Sequence, residues 1–337
     1  MIKPENISFI IPVYNRPEEI RELLESMHAM EGPKSFEIVI VEDGSDISCE
    51  PIIQAFKEEL QIKYLSKPNS GPGNSRNYGM KRAKGNYFII LDSDCILPKH
   101  YLITVIDELN SDFVHCFGGP DAAHESFSRI QKAIDFSMTS FITTGGIRGS
   151  ERSKRSFQPR SFNMGLSKEA FEMSGGFGVI HPGEDPDLVL RLEKAGYTTQ
   201  LISKAYVYHK RRISWSKFYH QVYKFGMVRA ILNRWHPKSK RLTYWFPTVF
   251  ILGLVVAIAA FFMGYQLLLT LYGLYFLLVL LFSWNKTGNI YIGVLSMVAV
   301  FIQFVGYGTG FLRSNMSLKF SRKKEEELFP QLFFKHS

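Results

Sequence analysis

Two hydrophobic periods alternate along the N-terminal part of the chain. ISFIIPVYN is almost wholly apolar, as a strand buried on both faces is, and PEEIRELLESMHAM follows with apolar residues at helical spacing and Pro17 in an early position. FEIVIVED, IKYLSK and NYFIILDSD predict three more strands, and IIQAFKEEL and GNSRNYGMKRAKG predict the helices between them. This β-α-β-α order predicts an α/β fold with a mostly parallel sheet covered by helices on both faces, in which ligands bind at the C-terminal strand ends. From Asp112 the pattern loosens. DFVHCFGG predicts a strand, SFSRIQKAIDFSMTSFI a helix, residues 143–165 a long polar connection and TQLISKAYVYH a returning strand. GEDPDLVLRLEKAGY predicts a helix with Asp185 as N-cap, Pro186 in the first turn and Gly196 at its end.

Residues 244–312 break from this pattern and carry almost no charge. They divide into 245–263, 266–284 and 290–312, each close to the roughly 20 residues of a spanning helix. Basic residues flank the region on both sides, and the positive-inside rule would keep both flanks in the cytoplasm. Three spans would separate them, and the connection at 263–265 is very short, so the expected number is two or three, with one segment re-entrant or interfacial. The expected organisation is a cytoplasmic domain over 1–240, including a basic, aromatic interfacial helix at about 214–236, membrane helices over 245–312, and a charged tail over 313–337.

Charge supports a membrane partner. The formal net charge is +9, and no Asp or Glu occurs between Glu193 and Glu325, while Lys and Arg crowd the stretch before the apolar region. Anionic headgroups explain such a cluster better than nucleic acid does, and membrane lipids are the expected partner. The three cysteines form no CxxC pair, which suits a reducing compartment, and the N-terminus shows no export signal, so the soluble part is expected in the cytoplasm.

Polar residues gather at the predicted strand ends: Tyr14 and Asn15, Glu42 and Asp43, then Asp92 and Asp94. Each taken alone is an ordinary turn residue. Two aspartates at a strand end also form a hard-oxygen site for Mg²⁺ or Mn²⁺, ions that typically bridge phosphates, and a nucleoside diphosphate is the natural ligand. A D-x-D pattern alone is weak.

Its surroundings strengthen it. FIIPVYNRPEEIRELLESM, VEDGS, NSGPGNSRNYGMKRAKGNYFIILDSD and GEDPDLVLRL, in that order, resemble the family 2 glycosyltransferases, inverting nucleotide-sugar enzymes with a GT-A fold, over roughly residues 5–230. The basic linker and apolar C-terminal part resemble membrane-attached members. The resemblance implies that Pro12, Tyr14 and Asn15 line a nucleotide pocket, that Asp43 bonds the base, and that Gly71 and Arg76 lie beneath the nucleotide. Asp92 and Ser93 would sit by the ribose, Asp94 would be the main metal ligand with Asp92, and His209 would complete the metal shell, although a lone His at a strand end is often structural. Asp185 would be the general base, and Asn163, Glu184 and Arg212 would contact donor or acceptor. A position at a helix N-terminus lowers a carboxyl pKa, so a weak base is expected at Asp185.

The expected activity is transfer of a sugar from a nucleotide-sugar donor to a hydroxyl, on a saccharide or glycolipid acceptor of surface polysaccharide or glycolipid assembly. A polyprenyl-phosphate acceptor needs no dedicated base, so GEDPDL favours a hydroxyl. A non-catalytic nucleotide-binding scaffold and a nucleotidyltransferase remain rivals. GPGNSRN lacks the third glycine of a dinucleotide fingerprint. Gln221 is followed by Val-Tyr-Lys-Phe and not by the Q-x-x-R-W box of processive synthases, which favours transfer of one sugar. Gly145 and Gly146 in TTGGIRG suggest a flexible turn without an assigned role.

Overall fold

The computed structural model describes residues 1–122, 124, 127–145, 157–210 and 214–334. Chain contacts divide it into two compact units, one of Met1–His124, Ile147–Lys210 and Phe334–Ser337, the other of Glu125–Gly146 and Arg211–Phe333.

In the first unit the apolar runs form the parallel strands β1 (Ile7–Val13), β2 (Glu37–Asp43), β3 (Gln61–Lys67) and β4 (Tyr87–Leu91). The short strands are β5 (Cys95–Ile96), β6 (Cys116–Gly118), β7 (Asp121–Ala122), β8 (Asn163–Ser167), β9 (Thr199–Leu201) and β10 (Val207–His209). A seven-stranded sheet runs in the order β3-β2-β1-β4-β8-β6-β9, and a three-stranded one in the order β5-β10-β7. The helices of this unit are α1 (Pro17–His28), α2 (Glu50–Phe56), α3 (Pro72–Met80), α4 (Tyr101–Ser111), α7 (Lys168–Ser174) and α8 (Glu184–Lys194).

The strands read as unbroken apolar runs because both faces are covered. Alternate side chains point to opposite faces: Phe9, Ile11 and Val13 pack with Ile20, Leu23 and Met27 of α1, while Ile10, Val39 and Val41 pack with Met80, Leu188 and Leu192. Each such buried side chain stabilises the fold by about 1.5–3 kcal/mol. Two expectations change. The polar connection contains β8, which pairs antiparallel with both β4 and β6; its Gly165 lies against the Phe117 ring, where a Cβ would come within 2.0 Å of a ring carbon. TQLISKAYVYH is not one strand but two, β9 and β10, in different sheets, because the chain leaves the edge of the large sheet after Leu201.

The second unit contains α5 (Arg129–Thr139), α6 (Phe141–Thr144), α9 (Trp215–Trp235), α10 (Phe246–Phe262), α11 (Leu267–Thr287), α12 (Ile290–Phe320) and α13 (Glu325–Leu328). The division differs from the expected boundary at 240. Ile134 and Met138 of α5 pack with Phe218 and Val222 of α9 and Ala299 of α12, and Phe136 packs with Val279, Val300 and Phe304, so both helices join the apolar bundle. Among the described residues, three helices are long and apolar enough to cross a membrane: Leu242–Phe262, Leu267–Thr287 and Ile290–Phe320. The third outlasts the apolar stretch that ends near 312. At 1.5 Å per residue its 31 residues span about 46 Å, more than the roughly 30 Å of a hydrocarbon core.

Helices α9 and α12 meet without intervening side chains. A Cβ on Gly226 would lie 2.1 Å from the Tyr307 carbonyl oxygen, and one on Gly310 would lie 2.2 Å from that of Tyr223. Small residues spaced four apart, here Gly306 and Gly310, permit such approach. Gly310→Ala forces the backbones apart, and we expect a destabilisation of about 1–3 kcal/mol, read as a lower melting temperature of the detergent-solubilised protein.

Candidate active site

Parallel register brings the ends of β1, β2 and β4 to one edge, and the polar residues after them form the site. Asn15 adopts a positive φ of 54°, a conformation Asn tolerates. Its side-chain oxygen accepts the Asp46 N–H at 2.7 Å, so Asn15 ties the turn after β1 to the turn after β2. Pro12 is buried within β1, and Tyr14 is 50% exposed at the edge.

Asp43 is held by its own chain. Its carboxylate is buried and accepts the Ser70 and Gly71 N–H groups, each at 2.9 Å, as well as the Lys67 ammonium. These bonds fix the loop that opens α3. Gly71 caps α3 with a φ of 91°. The Phe334 ring lies directly on it, within 2.3 Å of where a Cβ would stand, and the Phe334 N–H bonds the Val179 carbonyl at 3.1 Å.

The centre of the site is Arg76 of α3. It is buried, and one guanidinium nitrogen donates to Asp92 at 2.6 Å while the other donates to Glu184 at 3.1 Å. One fork therefore joins the Asp-Ser-Asp turn after β4 to the Glu-Asp pair that opens α8. Burial favours loss of its proton, but Asp92, Glu184 and Asp185 outweigh this and raise its pKa. Removing one partner of a buried ion pair leaves the other charge stranded. For Arg76→Met we expect a destabilisation of about 3–5 kcal/mol, measured by thermal unfolding, with Arg76→Lys between the variant and wild type.

Asp94 faces Arg16 and His209. Its carboxylate accepts Arg16 Nη1 at 2.7 Å and stands 3.2 Å from His209 Nε2. Antiparallel pairing of His209 with Cys95 delivers the imidazole there. The Phe162 ring stacks on it at 4.8 Å, its Nδ1 has no hydrogen-bond partner, and Nε2 also lies 3.9 Å from Asp92. Asp94, Cys95 and His209 offer ligand atoms within 4.8 Å of one another. A carboxylate and imidazole set with a second carboxylate nearby fits Mg²⁺ or Mn²⁺. The Cys95 thiol, pushed well above its ordinary pKa by burial and by Asp94 and Asp92, donates to the Phe162 carbonyl at 3.4 Å. Ser93 is buried between the two aspartates.

At the opposite pole Asp185 is the second residue of α8, and the N-cap is Gly183, not Asp185. Its carboxylate accepts the Ser161 N–H at 3.3 Å, with Arg160 4.0 Å away, and its side chain is 16% exposed. Its pKa is raised, because burial and the neighbouring Glu184 charge outweigh Arg160 and Arg76. This reverses the expectation from the helix N-terminus and makes Asp185 a better base. Glu184 shows the opposite shift. Burial pushes its pKa up, but His181 and Arg76 pull it down to about 2. Its oxygens accept from Arg76 and from the Gly183 N–H at 2.9 Å and face His181 Nδ1 at 3.0 Å, so it positions Arg76.

Asn163 bonds within the protein. It is fully buried, accepts the Tyr101 hydroxyl at 2.6 Å and donates to the Ala205 carbonyl at 2.8 Å, which makes it a brace between β8 and the chain before β10. Arg212 and Gly146 lie outside the described residues. A small pocket lined by Asp121, Phe157, Gln158, Arg160 and Phe162 shares Arg160 with Asp185 and Phe162 with His209. The residue pattern did not single out Arg16, Arg160 or His181 as partners of the acidic groups. For Arg16 a signal existed in its place directly after the first strand-end motif.

Residues 8–177, just over half of the chain, match the family described as Glycosyl transferase family 2. A stretch of 112 residues is 38% identical to an uncharacterized glycosyltransferase of Rickettsia felis, covering 32% of this chain and 18% of that protein. Another of 111 residues is 36% identical to the poly(ribitol-phosphate) beta-N-acetylglucosaminyltransferase TarS of Staphylococcus aureus, covering 31% of this chain and 19% of TarS. The chain thus matches about a fifth of the length of these relatives. The solved mannosyltransferase PcManGT from Pyrobaculum calidifontis, in complex with GDP-Man and Mn2+, shares the fold, with a TM-score of 0.56 and 14% identity over 94% of this chain and 88% of that one. With the strand-end carboxylates, the Glu-Asp helix and the mostly parallel sheet in place, the chain belongs to glycosyl transferase family 2.

Proposed function

We propose that this glycosyltransferase is an inverting, non-processive enzyme that moves one sugar from a nucleoside diphosphate donor to a hydroxyl of a saccharide or lipid-linked saccharide at the cytoplasmic face of a membrane, in polysaccharide or glycolipid assembly. The observation that carries the reading is the Arg76 fork, which holds Asp92 on the donor side and Glu184 on the acceptor side in one rigid unit.

Inversion requires attack on the anomeric carbon from the face opposite the leaving diphosphate. The acceptor oxygen forms the new bond as the bond to the diphosphate breaks, and the hydroxyl proton passes to a carboxylate beside the acceptor. Asp185 is that carboxylate: it is partly open, held by Ser161, and made more basic by burial and Glu184. Asp94, Asp92 and His209 would hold a Mg²⁺ or Mn²⁺ ion, which supplies charge neutralisation at the departing diphosphate. The pocket that borders both Arg160 and Phe162 is placed to take the sugar. The Asp43-braced loop and Tyr14 form the nucleotide side.

The raised pKa fixes the sign of the pH dependence. Asp185 must be ionised to accept a proton, so activity falls as pH drops through its folded pKa, and that acid limb lies above the ordinary aspartate value of 3.8. Glu184→Gln removes a neighbouring negative charge and shifts the limb to lower pH, visible in a profile of kcat/KM. The reading itself is tested by incubating membranes that contain the chain with a panel of radiolabelled UDP-, GDP- and dTDP-sugars. One donor should label a saccharide or lipid fraction and stop doing so with EDTA. Transfer that persists in EDTA, or no labelling with any donor, would count against it.

A further inference from the structure

The close register of α9 and α12 continues past their glycines. Gly306 faces Tyr219 and Val222, and Gly310 faces Tyr223 and Met227, so the two helices run parallel. One turn further, Arg229 and Asn233 of α9 come level with the part of α12 that carries Ser314. Arg229 is 8% exposed, its Nη1 has no hydrogen-bond partner, and no carboxylate pairs with it among the described residues. Ser314 Oγ, also buried, lacks a partner among the described residues. The Tyr244 ring lies over it, 4.5 Å from the guanidinium carbon to the ring centroid.

A guanidinium cannot shed its proton, and a buried charge is costly unless it is paired. A single aromatic face offsets only part of that cost. The surroundings identify the missing anion. Tyr244 stands two residues before α10 begins, and Lys238, Lys240 and Arg241 directly precede it. Arg229 is therefore level with the entry of an apolar helix into a bilayer, at the depth of lipid phosphates. An arginine fork fits phosphate oxygens two at a time, and the Ser314 hydroxyl can donate to a remaining one.

We propose that Arg229 and Ser314 form a binding site for a phosphate group at headgroup depth, a site that uses none of the donor-site residues. The source is a membrane lipid or a soluble phosphate, and the test separates them.

The full chain in dodecylmaltoside is titrated with dioctanoylphosphatidic acid, farnesyl phosphate, dioctanoylglycerol and inorganic phosphate, with melting temperature as the readout. A phosphate-bearing probe raises it saturably, and dioctanoylglycerol, which lacks the phosphate, does not. Arg229→Met weakens that response by about tenfold or more, and Ser314→Ala, a substitution too small to disturb folding, weakens it to a lesser degree. A response to both lipids assigns a general phospholipid, one confined to farnesyl phosphate assigns an isoprenoid carrier, and one matched by inorganic phosphate assigns a soluble source. In phosphate-free detergent Arg229→Met melts no lower than wild type, because the stranded charge is gone. Equal responses from wild type and both variants, or no saturable response to any phosphate-bearing probe, would overturn the proposal.

Discussion

Asp185→Asn is expected to reduce kcat by roughly 10²–10⁴-fold while leaving nucleotide binding intact. The substitution preserves shape. An asparagine oxygen can still accept the Ser161 N–H, and the long 4.0 Å approach of Arg160 contributes little at a partly exposed site. What disappears is the ability to take the acceptor proton. The variant separates the catalytic reading from a structural one, since a helix-terminal role would survive an Asp-to-Asn change with little loss. Initial rates with saturating donor, together with a binding titration of the free nucleoside diphosphate, supply both halves of the test. A variant that transfers sugar at the wild-type rate would remove Asp185 from the chemistry.

The second large effect is expected at Asp94. Asp94→Ala removes the carboxylate that stands between Arg16 and His209 and leaves two adjacent cationic or neutral groups without their common partner. A divalent ion then loses its principal oxygen ligand, and kcat/KM is expected to fall by about 10²–10³-fold, the scale of removing one fixed element of transition-state charge stabilisation. Direct Mn²⁺ binding, followed by the loss of the free-ion paramagnetic signal in the presence of nucleoside diphosphate, should disappear in the variant. Asp92→Ala should differ in kind. Asp92 also holds Arg76, so this change lowers melting temperature as well as metal affinity.

The amino-acid pattern revealed the central sheet because strands covered on both faces must be apolar throughout, as Phe9, Ile10 and Ile11 are. It hid β8 because that strand is short and contains Asn163 and Gly165, whose reasons for being there are a buried brace and a close ring. The helix α12 runs past its apolar stretch, with Phe311 and Leu318 packed beside Ala230 of α9, and hydropathy alone marks only its apolar part. At the site, the aspartates after β4 were visible as strand-end carboxylates. Periodicity alone did not bring His209 to them, since that depends on an antiparallel contact between residues far apart in sequence, and only the family resemblance pointed to it. Arg76 lies in a helix whose sequence suggests solvent exposure, and only tertiary packing shows that it bridges two motifs. The acidity of Asp185 reversed for a similar reason. The helix-terminus rule is local, and burial beside Glu184 outweighs it.

The most direct test of the donor site is thermal stabilisation of the detergent-solubilised protein by UDP, GDP and dTDP, each with and without Mn²⁺, in wild type and Asp94→Ala. The account predicts that one nucleotide raises the melting temperature of wild type only when Mn²⁺ is present, and that the variant shows no rise. The same rise in Asp94→Ala, or no rise with any nucleotide in wild type, would contradict it.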